Sequence, residues 1–162
     1  MKTQKKILKP QSLKKKLSVL RKQGREIVFT NGCFDILHFG HVSYLESIKK
    51  ENNILVIGLN SDRSVKGIKG KARPIIHQEG RAKLLAGLGC VDYVVMFDED
   101  TPQKLIEYLL PDVLIKGADW KGKEVAGADA VCKNGGKVRF VKYIDGFSTT
   151  NIINKILKNE KK

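Results

Sequence analysis

A chain of 162 residues suits one domain around one core, and 41% hydrophobic residues is ordinary globular material. The formal charge of +14 belongs to the ends: residues 1–25 carry ten Lys/Arg and no acid, residues 155–162 carry four Lys and one Glu, and residues 26–154 balance 17 basic against 16 acidic side chains. A basic tail on a neutral body argues against nucleic-acid binding as the main role, and the lack of any apolar run near the ~20 residues of a membrane span, or of an apolar stretch after the Lys-rich start, argues against a membrane or secreted protein.

The expected location is therefore the cytoplasm. Cys33, Cys90 and Cys132 are far apart, with no CxxC or zinc spacing, and are expected to be free thiols. Residues 1–9 read as a loose tail. Leu13, Leu17 and Leu20 recur at helical spacing over Ser12–Gln23, and Gly24 is a stop signal. Ile27–Thr30 reads as a buried strand, and His41–Lys50 as a helix with Val42, Leu45 and Ile48 on one face. Ile54–Leu59 is a second strand, and residues 61–77 read as a long Lys/Gly-containing connection. Gln78–Leu88 is helical and Tyr93–Met96 a strand; Pro102, a first-turn residue, opens a helix to Leu110. Asp112–Lys116 is a strand, Glu124–Lys133 a helix ended by Gly135-Gly136, Lys137–Val141 a strand, and Thr149–Leu157 the last helix.

Continuous apolar strands alternating with amphipathic helices predict an α/β fold. It is a doubly wound, five-stranded parallel sheet with right-handed crossovers, Rossmann-like in form. Such sheets bind ligands at the carboxyl ends of their strands. The loops after the first, second and fourth strands carry the three richest segments: Gly32–His41, Asn60–Arg73 and Lys116–Trp120.

In the first loop, His38 and His41 are three residues apart at the start of a helix, with Gly40 between them. That spacing puts both imidazoles on one face, beside unsatisfied N–H groups and the positive end of the helix dipole. Two imidazole donors at such a point form a site for polyphosphate and can neutralise charge on a phosphoryl group under attack. Helix capping alone is the plainer reading of a single His, but not of His-x-Gly-His after a buried strand and a Gly-Cys-Phe-Asp turn. Cys33 inside this turn invites a nucleophile reading, yet a displacement at phosphorus needs no covalent step. The second loop holds five cations within residues 63–73, Arg63, Lys66, Lys69, Lys71 and Arg73, interleaved with glycines. A mobile basic loop there would supply charge stabilisation. Gly146-Phe147-Ser148-Thr149-Thr150-Asn151 places Ser148 as an N-cap and adds hydroxyls for phosphate contacts. Arg81 opens a helix, where a cation opposes the dipole unless an anion is near, and so suggests a substrate phosphate. No HExxH or paired DxD carboxylates occur, so Mg²⁺ is expected to be held mainly by nucleotide phosphates.

These motifs resemble the cytidylyltransferase-like nucleotidyltransferase superfamily over roughly residues 25–158. Gly-Cys-Phe-Asp-Ile-Leu-His-Phe-Gly-His matches its His-x-Gly-His signature, and Gly-Phe-Ser-Thr-Thr its C-terminal one. Within it the chain is most similar to the heptose 1-phosphate adenylyltransferase group, through Leu59–Asp62, Lys69-Gly70 with Arg73-Pro74, Val91–Val95, Glu99–Pro102, Leu114–Asp119 and Ser148–Ile153. Glycerol-3-phosphate cytidylyltransferase is the alternative, which the Gly-Ala-Asp-Trp-Lys-Gly-Lys run partly resembles.

The resemblance implies ATP and a sugar 1-phosphate as substrates, with ADP-sugar and pyrophosphate as products. It implies His38, His41 and Lys69 as the catalytic groups. It assigns Gly32, Cys33, Phe34, His38, His41, Lys66, Asp119, Ser148, Thr149 and Thr150 to the nucleotide, and Asp35, Asn60, Asp62, Arg81 and Lys116 to the sugar phosphate. It also implies the boundaries: a basic tail and short helix over 1–24, the nucleotidyltransferase domain over 25–158, and a basic tail over 159–162. Members of the heptose group are often fused to a sugar kinase, so a separate kinase upstream is expected. A homodimer is compatible with the fold. A nucleotide- or RNA-binding module without turnover is the reading from another class; it predicts salt-dependent RNA binding lost with residues 1–25.

Overall fold

The structure, a computed structural model, describes residues 3–144 and 146–159. The last three positions of the expected basic tail, 160–162, lie outside them. Five strands form the sheet: β1 (Glu26–Gly32), β2 (Asn53–Asn60), β3 (Tyr93–Phe97), β4 (Val113–Gly117) and β5 (Lys137–Val141). All pairings are parallel and the order is β3-β2-β1-β4-β5. The chain winds outward from β1 in one direction and then from β4 in the other, so the switch point lies between β1 and β4.

Seven helices flank it: α1 (Pro10–Lys22), α2 (Phe39–Ile48), α3 (Asp62–Lys69), α4 (Gln78–Gly87), α5 (Gln103–Leu109), α6 (Ala128–Lys133) and α7 (Thr149–Asn159). Two apolar layers result. Tyr44, Leu45 and Ile48 of α2 and Ala82, Leu85 and Ala86 of α4 pack on one face of the sheet. Leu13 and Leu17 of α1, Leu105, Ile106 and Leu109 of α5, and Val131 of α6 cover the other. Every residue of β2 is buried, as a strand covered on both faces requires. Among the described residues no helix is long and apolar enough to cross a membrane.

Three expectations need correction. Residues 3–8 are not a loose tail: Ile7 bridges Val94 of the edge strand, Leu8 N donates to Val94 O at 2.9 Å, and Lys6 Nζ donates to the Leu88 and Val91 carbonyls. The connection after β2 is not a loop throughout, because its first half is α3. Ser61 Oγ accepts from Ser64 N at 3.2 Å as the N-cap, Asp62 stands in the first turn and Lys66 and Lys69 in the last, all favourable to the helix dipole. The expected helix from Glu124 begins only at Ala128. Gly127 has φ +80°, and a Cβ there would approach Ile106 Cγ2 to 2.6 Å, so the chain turns sharply before α6 can start.

Candidate active site

A cleft of about 860 Å³ opens over the carboxyl ends of the strands. The loop after β1 forms its floor. Phe34 holds φ +45°, an uncommon conformation for a bulky residue, and its buried ring lies 5.1 Å from the His41 ring. His38 is the N-cap residue of α2, but its side chain makes no capping bond. The two imidazoles instead stack on each other, with centroids 3.8 Å apart and planes 21° apart. Both Nδ1 atoms are buried without a hydrogen-bond partner among the described residues. The capping explanation thus fails on geometry, since the rings leave buried polar atoms facing a cleft that both residues line.

Gly40 explains the small residue between them. A Cβ there would come within 2.9 Å of Phe147 Cβ and 3.2 Å of the His38 ring. Its bareness lets the segment before α7 press against the start of α2. Ser148 Oγ accepts from Asn151 N at 3.0 Å, capping α7, while Ser148, Thr149 and Thr150 all line the cleft. Gly117 is bare for the same kind of reason: a Cβ there would sit 2.1 Å from the Tyr143 ring and 2.4 Å from an Asp119 carboxylate oxygen.

Burial controls the protonation states. His41 is lowered to about 4, first by burial and then by the neighbouring His38, against a backbone hydrogen bond with Ile36. His38 is also lowered by burial. Both rings are therefore neutral at pH 7 with one N–H each; that of His41 faces the Ile36 carbonyl, so its bare Nδ1 donates only after an anion draws a second proton onto the ring. A stability effect follows. Unfolded His41 binds a proton below about pH 6.5, whereas the folded ring resists until about pH 4. The folded state binds fewer protons in that window, so stability falls as the pH drops through it, by up to about 3 kcal/mol. In thermal melts between pH 7 and pH 4, His41→Gln is expected to lose less stability than the wild type; equal losses would refute the buried neutral state.

The Cys33 thiol is pushed up by burial despite Lys69, Arg81 and Arg73 nearby. A protonated thiol is a poor nucleophile, which agrees with a reaction lacking a covalent step.

The cleft gathers Gly32, Cys33, Phe34, Asp35, His38, His41, Asn60, Lys69, Lys116, Asp119, Ser148, Thr149 and Thr150. It does not gather Lys66, Asp62 or Arg81. Lys66 is exposed on α3, whereas Ile68 and Lys69, at the end of that helix, reach the cleft. Arg81 is fully buried with every nitrogen partnered: Nε donates to Ile76 O at 2.9 Å, one terminal nitrogen to Cys33 O at 2.6 Å and Asn60 O at 2.8 Å, and the other to Asp62 Oδ1 at 2.8 Å. The anion that its place in the first turn of α4 requires is Asp62, not a substrate. Burial pushes Asp62 up, but its bonds to Arg81 and His77 prevail and hold the carboxyl below its ordinary range.

Two more expected substrate contacts are committed elsewhere. Asp35 lines the cleft, but its oxygens accept from Ile75 N at 2.8 Å, Ile76 N at 3.0 Å and the Arg73 guanidinium, stapling residues 73–76 to the first loop. The Asn60 amide donates to Ser64 Oγ at 3.0 Å. Of the five groups expected at the sugar phosphate, Lys116 keeps two donors at the cleft and the Asn60 amide one.

Comparison with known proteins now has a geometry to meet. The family model described as Cytidylyltransferase-like matches residues 29–155. The chain belongs to the cytidylyltransferase-like family. Its relatives include the bifunctional protein HldE of Syntrophotalea carbinolica, 52% identical over 91% of this chain and 30% of that protein. HldE of Geobacter metallireducens is 57% identical over 84% of this chain and 28% of that protein. The chain therefore spans about a third or less of the length of these relatives. The crystal structure of a lipopolysaccharide core biosynthesis protein from Thermoplasma volcanium superimposes with a TM-score of 0.59 at 32% identity, covering 74% of this chain and 96% of that one.

For a cytidylyltransferase-like protein, the unforeseen parts of the cleft are as telling as the expected ones. Asn31, at the end of β1, and Tyr143, after β5, line it. So do Asp100–Gln103, from the crossover between β3 and α5. A polar residue ending an apolar strand was the available signal for Asn31. Nothing in sequence spacing could bring residues 100–103 to the β1 loop; the crossover from one sheet edge past the switch point does that.

Proposed function

We propose that this chain is an adenylyltransferase that joins AMP from ATP to D-glycero-β-D-manno-heptose 1-phosphate, giving ADP-heptose and pyrophosphate. One observation carries the reading. Two stacked neutral imidazoles with unpartnered nitrogens stand at the start of α2, with Lys69 reaching the cleft from the β2 side and Lys116 from the β4 side. In-line transfer puts two anions on opposite sides of the reacting phosphorus. One is the entering phosphate and the other the leaving pyrophosphate. A cation on each flank of a central pair of donors fits that requirement. Similarity to HldE proteins over most of this chain supports the heptose acceptor.

In this reading an acceptor phosphate oxygen attacks the α-phosphorus. The bond from that phosphorus to the bridging oxygen breaks, and pyrophosphate leaves with the electron pair. His38 donates to the α- and β-phosphate oxygens, where charge develops, and His41 donates from Nδ1 once the polyphosphate charge draws a proton onto its ring. Lys69 neutralises the leaving group, and Lys116 receives the acceptor phosphate. Backbone groups of Gly32–Phe34, with Asp119 and Ser148–Thr150, hold the nucleotide. Among the described residues no three His, Cys, Asp or Glu side chains converge on a metal site. Mg²⁺ is assigned to the triphosphate, as part of the MgATP substrate, because Mg²⁺ binds phosphate oxygens readily and keeps several waters. The acceptor must arrive already phosphorylated at its anomeric carbon, so a sugar kinase acts upstream, and these soluble substrates place the reaction in the cytoplasm.

Pyrophosphate release, measured with ATP or CTP against heptose 1-phosphate or glycerol 3-phosphate, tests the choice. ATP with heptose 1-phosphate is expected to be the productive pair. Turnover with CTP and glycerol 3-phosphate alone would sink the heptose reading and leave the family intact.

A further inference from the structure

Asn31 and Lys116 are the next-to-last residues of β1 and β4, on the two sides of the switch point. Side chains alternate along a strand, so Asn31 shares a face with Phe29, and Lys116 with Leu114. Phe29 and Leu114 belong to the layer of α1, α5 and α6. Thr30 points the other way and shares a 3.0 Å hydrogen bond with Tyr44 of α2. Asn31 and Lys116 therefore meet on the side of the sheet away from α2. The Lys116 ammonium donates to Asn31 Oδ1, and its Nζ lies 5.2 Å from the centre of the Trp120 ring.

The lysine is buried, with 6% of its surface exposed. An ammonium has three donors, and Asn31 is its hydrogen-bond partner among the described residues. The remaining donors belong to a side chain that lines the cleft. The register partner of Asn31 in β2 is Gly58, where a Cβ would lie 3.2 Å from Asn31 Cβ, so the bare glycine leaves room for the Asn31 side chain.

Burial lowers Lys116 to about 8, against the opposing pull of the Asp119 carboxylate. Of the other carboxylates lining the cleft, Asp35 is paired with Arg73, while Asp100 and Glu124 are further acids on the same cleft. Tyr44 and Tyr143 are phenols pushed up by burial, His38 and His41 are neutral, and Lys123 stands over the same Trp120 ring at 6.0 Å. The Asp119 carboxylate favours the charged lysine, and the Asn31 oxygen accepts a hydrogen bond from it.

We propose that Asn31 is a positioning residue, whose amide oxygen aims the Lys116 ammonium into the cleft and keeps it charged, so that the pair clamps the phosphate of the acceptor. This deepens the adenylyltransferase reading and rests on it for the identity of that phosphate.

The test has one arm without substrate and one with it. The Lys116 Cε resonance is titrated by carbon NMR in the substrate-free wild type, Asn31→Ala and Asn31→Asp. Loss of the acceptor oxygen in Asn31→Ala is expected to lower the Lys116 midpoint by about one unit, and the carboxylate of the near-isosteric Asn31→Asp to raise it by about one unit or more. In turnover, Asn31→Ala is expected to raise the acceptor KM about tenfold at pH 8.5, with a smaller effect on kcat and on the KM for ATP. That KM should return toward the wild-type value at pH 6.5, and the alkaline limb of kcat/KM for the acceptor should move with the NMR midpoint. A Lys116 titration that is the same in all three proteins overturns the role of Asn31, whatever the substrate. Midpoints that move while the acceptor KM stays fixed overturn the phosphate clamp. Wild type that turns over no sugar phosphate would refute the functional reading and leave the substrate-free arm to decide on Asn31.

Discussion

His41→Ala is expected to lower kcat for pyrophosphate release by about 10²–10³, the usual cost of removing one preorganised donor at developing phosphoryl charge. The fold should survive. His41 lies in the first turn of α2, and alanine is the best helix former. The substitution also removes a buried nitrogen that lacks a partner among the described residues. The melting temperature near pH 7 should therefore stay within a few degrees of wild type. The KM for ATP should rise less than kcat falls, because the donor matters most when charge builds on the α- and β-phosphates. The stack sharpens the expectation: with ring centroids 3.8 Å apart, each imidazole limits where the other can point. His38→Ala should hence carry a penalty of its own, and the double variant should be far better than the product of the two single losses. Normal turnover by His41→Ala would remove the basis of the proposed chemistry.

The architecture was readable because the apolar strands carry it. Ile54–Leu59 has no polar face, so it could only be a strand covered on both sides, and the strand segments that alternate with helical ones around it define the doubly wound sheet. Errors gathered where local propensity met a tertiary constraint. The basic stretch after Asn60 suggested a loop because Gly67 and four cations between Arg63 and Lys71 outweighed the cap. The sequence Ser61-Asp62-Arg63-Ser64 was nonetheless a helix start, with acid at its beginning and Lys66 and Lys69 near its end. The N-terminal Lys-rich residues suggested a tail, since their anchors, the Val94 carbonyl and the carbonyls at the end of α4, are some 80 residues away.

The candidate site divides in the same way. The His38/His41 pair, Lys69, Lys116 and the Ser148–Thr150 segment could be found because strand-end loops in this fold point at one edge. Asp35, Asp62 and Arg81 have the chemistry of phosphate or sugar ligands, and residue type alone cannot tell a ligand from a brace. The distinction lies in which polar atoms are already satisfied, and that is settled only when the chain closes. Asn31 was overlooked for the opposite reason. A neutral amide at a strand end carries no strong signal until a buried lysine is found against it.

Replacing Arg81 should show the difference between brace and ligand. Arg81→Ala is expected to destabilise the protein by about 3–5 kcal/mol, the range for removing one partner of a buried charged network. For a chain of this size that is a fall of roughly 10 °C or more in melting temperature. The reason is positional. The guanidinium bonds Ile76 O, Cys33 O, Asn60 O and Asp62, so its loss leaves carbonyls from the first loop, the end of β2 and the start of α4 unsatisfied together. Arg81→Lys keeps the charge but not the planar fork that spans these groups, and should recover only part of the loss. Activity should fall as well, because Cys33 lies beside the Phe34 turn that packs against His41. A phosphate-binding arginine predicts another pattern, in which ligand-free melting stays unchanged and the acceptor KM rises. Melting curves without ligand therefore decide the matter: an Arg81→Ala protein as stable as wild type would return Arg81 to the substrate.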